Sequence, residues 1–192
     1  SGGMTNSLPD LGKGNECEVA VNKTALLMID IQNAMFGPDE ICHQPERMLA
    51  KASDLLARAR AVGTPVYFVQ HCESEGGFKP GSTGWQIHPK VAPNAAEPVT
   101  EKWACSSFYK TDLDQKLRAA GIDSLVIAGL QSEFCVDTAC RVAQTLGYKV
   151  TLAADAHSTF DNPVLPGDKI IAHHNRLLSG IVERVVPVAE IK

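Results

Sequence analysis

Cys135, Asp30 and Lys102 are the residues of this chain whose types and settings best suit chemistry. Cys135 follows a buried-looking apolar run, Ser124 to Ala128, and a tight turn from Gly129 to Glu133. The amphipathic pattern that comes next predicts a helix from about Phe134, which puts Cys135 in its first turn. Unpaired N–H groups and the positive end of the helix dipole favour a thiolate over a thiol there. Asp30 closes the apolar run ALLMID, and Lys102 closes PVTEK. A thiol, a carboxylate and an ammonium at one sheet edge supply a nucleophile, a proton carrier and a counter-charge. Each also has an inert reading: a small buried thiol, a carboxylate capping a turn, a solvated surface cation.

The elements that must position these groups follow from hydrophobic periodicity. Nearly all-apolar runs at Thr24–Asp30, Pro65–Gln70, Pro98–Lys102, Ser124–Ala128, Tyr148–Ala153 and Arg184–Val188 read as strands buried on both faces. They alternate with helical patterns at Pro45–Val62, Thr111–Ala120, the cysteine helix ended by Gly147, and Asp168–Val182. In the second helix Thr111 is the expected cap, with Asp114 completing a capping box. The expected fold is α/β: a three-layer sandwich with a six-stranded parallel sheet and helices on both faces. Sites in such sheets lie beyond the carboxyl ends of the strands, where Asp30, Lys102 and Cys135 all map. The Gly- and Pro-rich stretch from His71 to Glu97 leaves the same edge and is expected to form a lid or wall of the pocket, or a subunit contact.

Composition bounds the class. The 192 residues are 44% hydrophobic and 21% charged, which suits one domain, expected over residues 23–192. Residues 1–22 are polar and Gly-rich and are expected to be a loose arm, with Ser1, Gly2 and Gly3 read as a cloning remnant. A net charge of −4 without a basic run argues against nucleic acid as a partner. No apolar stretch is long enough to span a bilayer, so no membrane partner is expected. There is no secretory-signal pattern, and the six scattered cysteines form no C-x-x-C pair, which points to reduced thiols and a cytoplasmic setting. The paired histidines His173 and His174 point about 100° apart on a helix and make a poor metal-ligand set.

The segments ALLMIDIQNAMF, EKWACSSF and GLQSEFCVDTACRVAQTLGY, in that order, resemble the isochorismatase-like superfamily of cysteine hydrolases. LAADAHSTFD after the fifth strand is similar to that family as well, and the likeness extends from about Thr24 to Val188. The resemblance implies an Asp-Lys-Cys triad formed by Asp30, Lys102 and Cys135. It implies a cis peptide at Leu130–Gln131 that aims a backbone N–H into the site, and an assembly of two or more copies. Where nicotinamidases of the family carry a metal-binding D-x-H motif, this chain reads VQHCESE, so neither a metal nor another cofactor is expected. Isochorismatases that cleave a vinyl ether often lack the cysteine, so its presence favours amide chemistry.

The expected activity is hydrolysis of an amide or carbamoyl C–N bond of a small-molecule substrate through a Cys135 thioester. Backbone N–H groups of Cys135 and Gln131 would hold the oxyanion. Vinyl-ether hydrolysis with Asp30 as the acid, and a non-catalytic binding module on the same fold, are the alternatives. Gln32, Phe36, Trp85 and Phe108 are the candidate lining of the substrate pocket. His71 and His88, flanking the long loop, are further candidates for substrate contact.

Overall fold

A computed structural model describes residues 22–192. The expected arm, residues 1–22, lies outside the described residues except for Asn22. Six strands form one sheet: β1 (Thr24–Ile29), β2 (Val66–His71), β3 (Val99–Lys102), β4 (Ser124–Leu130), β5 (Lys149–Ser158) and β6 (Arg184–Val186), in the order β3-β2-β1-β4-β5-β6. Every neighbouring pair is parallel. The chain winds outward from β1 through β2 to β3, then crosses back to β4. The switch in winding direction therefore falls between β1 and β4, which is where an open α/β sheet leaves a crevice.

Strand periodicity explains the layers. In β1, Ala25, Leu27 and Ile29 face one core, and Leu26 and Met28 face the other. The first core is covered by α2 (Leu113–Ala119), α3 (Asp137–Thr145) and α4 (Gly167–Leu178) through Leu113, Leu117, Ala139, Cys140, Ala143 and Leu178. The second is covered by α1 (Pro45–Ala61), which buries Met48, Leu49, Ala52, Leu55 and Leu56. The strands are apolar throughout because both of their faces are covered. Among the described residues no helix is long and apolar enough to cross a membrane.

The strand ends depart from the sequence reading where they carry the candidate site. Gly129 has φ +139°, and a Cβ there would lie 1.9 Å from the carbonyl oxygen of Ile29, so only glycine lets β4 pass β1 this closely. Beside it the β4–β5 register jumps from Ile127↔Leu152 to Gly129↔His157, and β5 runs on to Ser158 instead of stopping at Ala153. The bulge costs ladder bonds that apolar periodicity does not report. The helix expected from Phe134 is likewise different. Residues Ser132–Val136 form a wide π-helical turn, and α3 begins only at Asp137. The capping box at α2 does not form. Thr111 turns back to donate to the Ser107 carbonyl, and Asp114 is taken by the Tyr148 hydroxyl at 2.6 Å.

Candidate active site

Three strand ends deliver the three groups. Asp30 leaves β1 in the left-handed region, φ 50°, a conformation an aspartate tolerates better than most side chains. Its N–H remains bonded to the Val69 carbonyl at 3.0 Å. Lys102 ends β3 in register with His71 on β2. Two strand spacings, about 9–10 Å, separate β3 from β1, and a lysine side chain can reach over β2 to close that gap. Cys135 arrives on the π-helical turn after β4.

The Lys102 ammonium is the hub. Its Nζ lies 2.9 Å from Asp30 Oδ2, 3.2 Å from Cys135 Sγ, 3.0 Å from His71 Nδ1 and 3.0 Å from the Ala104 carbonyl oxygen. An ammonium has three hydrogens, so these acceptors compete for them. His71 Nδ1 accepts, which leaves its N–H on Nε2, facing Glu73 Oε1 at 3.2 Å. The Lys102–Asp30 contact is an ion pair lying off the hydrogen-bond axis, and both Asp30 oxygens lack a directed donor. Both side chains of the pair are 0% exposed, whereas Cys135 keeps 9% exposure and is the member of the three that reaches solvent.

Burial sets the protonation. It pushes the Asp30 carboxyl above its usual range, against the opposing pull of Lys102. Burial and the neighbouring Asp30 charge push the Cys135 thiol up. Burial alone would lower Lys102, but attraction to Asp30 and Cys135 outweighs it and raises the ammonium. The upward shift favours the thiol form of the sulfur, against the thiolate expected from a helix N-terminus. Desolvation outweighs the dipole, and the wide turn replaces the regular first turn that would have presented it.

Among the described residues, the buried side-chain oxygens without any hydrogen-bond partner are the two of Asp30, Ser107 Oγ and Glu133 Oε2. All lie in the three segments singled out from the sequence. Native proteins leave few buried polar atoms unpaired. Glu133 Oε1 is satisfied by the Thr159 hydroxyl at 2.7 Å. The Leu130–Gln131 peptide bond is cis.

The four expected pocket-lining residues have separate settings, and Phe108 packs against the core cluster that includes Cys135. Gln32 is fully buried, and its amide is used as a clamp. It donates to the His71 and Trp85 carbonyls at 2.9 and 2.8 Å and accepts from the His71 N–H at 2.9 Å. Phe36 packs on the α1-side core and meets His88 edge to face. Trp85 donates to Cys72 Sγ at 3.3 Å and lines a cleft of about 620 Å³ with Gln70, Glu101 and Lys116. Phe108 stacks on Tyr148, the residue before β5, so it belongs to the core on the α3 side. Apolar type alone could not separate wall from core. The His71–Glu97 stretch is pinned to the end of β1 by Asn33 N–H to Gln86 O at 3.0 Å and Ala34 N–H to Gly84 O at 2.9 Å. The sequence reading passed over Trp103 and Phe134, which are 62% and 54% exposed beside Lys102 and Cys135. Their signal was position: large aromatic residues immediately adjoining inward-facing polar ones.

The isochorismatase domain model matches residues 24–164. The chain belongs to the isochorismatase family. Its similarity to a streptothricin hydrolase of Streptomyces noursei is 38% identity over 74% of this chain and 52% of that protein. The chain thus spans about half the length of that curated relative. An Oleispira antarctica protein assigned to the isochorismatase hydrolases superposes with TM-score 0.84 at 35% identity, covering 93% of this chain and 98% of that one. N-carbamoylsarcosine amidase from Thermoplasma acidophilum superposes with TM-score 0.72 at 27% identity, covering 88% and 99%. The six-stranded parallel sheet is the fold these isochorismatase-family structures share, and the family is one of hydrolases.

Proposed function

We propose that this chain is a cysteine amidohydrolase that cleaves an amide or carbamoyl C–N bond of a small molecule. The observation that carries the reading is one ammonium, Lys102, in contact with both a buried carboxylate and the sulfur of Cys135 at 2.9 and 3.2 Å. The similarity to a streptothricin hydrolase and to an N-carbamoylsarcosine amidase supports C–N chemistry.

In this mechanism Cys135 Sγ attacks the carbonyl carbon while its proton passes to Asp30. Lys102 holds the negative charge that moves between carboxylate and sulfur. The backbone N–H groups of Gln131 and Cys135 receive the oxyanion, each such donor being worth about 3 kcal/mol of barrier. Asp30 then protonates the leaving nitrogen, the C–N bond breaks, and an amine or ammonia departs from a Cys135 thioester. Water attacks the thioester with Asp30 accepting its proton. The carboxylic acid leaves, and the proton returns to sulfur.

The test is ammonia or amine release from a panel of linear amides, cyclic amides and carbamoyl compounds by the wild type and Cys135→Ala. Turnover by the wild type that collapses in the variant is the expected result. Retained amide turnover in Cys135→Ala overturns the proposal. Hydrolysis of a vinyl ether that survives the substitution would move the activity to isochorismatase chemistry.

A further inference from the structure

A second buried polar chain lies behind the nucleophile turn. Ser132, the first residue of the π-helical turn, places its Oγ 2.7 Å from His157 Nδ1, and His157 Nε2 lies 2.7 Å from Asn175 Oδ1 on α4. Asn175 Nδ2 donates to the Ala154 carbonyl at 3.0 Å, which fixes the amide with its oxygen toward the histidine. His157 Nε2 must then be the donor, Nδ1 the acceptor and the Ser132 hydroxyl the donor to it. Every polar atom in the relay has its partner. Ser132 and His157 are 0% and 3% exposed. Serine, histidine and asparagine in a row have the residue types of a hydrolytic triad, but this hydroxyl has no access to solvent. Its proton is committed to the imidazole and its oxygen to no substrate.

We propose that Ser132, His157 and Asn175 are positioning residues that tie α4 and the bulged end of β5 to the turn carrying Cys135. The inference rests on the reading of Cys135 as the nucleophile. A π-helical turn is a rare backbone form, found mostly as a single wide turn within an α-helix and often at functional sites. Here its first residue is anchored from outside the helix. The bulge that brings His157 opposite Gly129 supplies the anchor. With the anchor intact, Sγ stays within 3.2 Å of Lys102. Without it, the turn tightens and the sulfur leaves the ammonium.

The test needs no knowledge of the natural substrate. p-Nitrophenyl acetate acylates a competent thiol and releases nitrophenolate, and peptide mass mapping identifies the cysteine modified. In Ser132→Ala and His157→Leu the acylation rate at Cys135 is expected to fall tenfold or more, with the rate at exposed Cys105 unchanged as the internal reference. Asn175→Ala, at the partly exposed end of the relay, keeps the test available if the buried substitutions fail to fold, and is expected to slow acylation at least threefold. A lowered Tm with Cys135 acylation within twofold of wild type, or faster, overturns the inference and leaves the relay a merely structural network. If the wild type is acylated at Cys105 and never at Cys135, the nucleophile reading has failed instead. Acylation at Cys135 in the wild type that the variants leave intact sinks the relay alone.

Discussion

Two buried polar clusters meet at the carboxyl edge of this sheet, and they are built in opposite ways. The Asp30–Lys102–Cys135 cluster is charged and incompletely satisfied, with several acceptors around one ammonium and two carboxylate oxygens lacking directed donors. The Ser132–His157–Asn175 cluster is neutral and complete, with each donor matched to one acceptor. A network with every bond made is rigid and has no proton to give. A network in which one ammonium serves both a buried carboxylate and a thiol can pass a proton among them, which is what acid–base catalysis requires. On the proposed mechanism, the contrast separates the part of the site that reacts from the part that holds it.

The comparison breaks most visibly at the reacting cluster. Cys135→Ala is expected to lower amide turnover by on the order of a thousandfold or more, measured as ammonia release, with stability changed little because a small buried side chain replaces another. Asp30→Asn is expected to cost about 10²–10⁴-fold in turnover. It also takes the counter-charge from the buried Lys102 ammonium, so chemical denaturation run in parallel separates loss of fold from loss of chemistry. Turnover kept at the wild-type level in a folded variant would remove Asp30 from the chemistry.

The two clusters also respond to pH with opposite sign. Burial depresses His157 to about 4 from 6.5, with Asn175 opposing it. A depressed imidazole contributes stability that is fully present above pH 6.5 and is lost as pH falls toward 4, roughly 3 kcal/mol in all. Denaturation curves at pH 7 and pH 4 should show that excess loss in the wild type over His157→Asn. Asp30 is raised, so its contribution runs the other way: present below 3.8 and lost as pH rises through the elevated value. The proposed mechanism needs the carboxylate, so the acid limb of kcat/KM should lie above 3.8 and disappear in Asp30→Asn.

Smaller effects mark what lies outside both clusters. Gln32→Ala leaves the His71 carbonyl and N–H without their side-chain partner, while the Trp85 carbonyl keeps the Gln70 amide donor at 2.9 Å, and the expected loss is about 1–3 kcal/mol by denaturation. Lys116→Met removes an exposed pair with Asp112 on α2 and should change stability by no more than about 0.5 kcal/mol.

Much of this was legible in the sequence, and what was not has physical reasons. Apolar runs such as Thr24–Asp30 and Ser124–Ala128 announce doubly covered strands, and Asp30 and Lys102 were read from their positions as lying at the carboxyl edge of the sheet. The strand order is not written in periodicity, so the sequence alone could not bring Lys102 across β2 to Asp30. The protonation of Cys135 depends on desolvation, which overrode the local argument from a helix end. A related limit applies to the pocket candidates: Phe108 and Phe36 have the same apolar character whether they face substrate or core. His157 escaped attention because its role depends on a bulge in β5, visible only once strands pair.

The most direct test sets burial against activation. Exposure alone ranks Cys105, which is exposed, ahead of Cys135, which is 9% exposed. On mixing with p-nitrophenyl acetate near neutral pH, the protein should release a burst of one nitrophenolate per chain, with the acetyl group on the Cys135 peptide. Acetylation of Cys105 with the Cys135 peptide unmodified would contradict a reactive sulfur poised between Asp30 and Lys102.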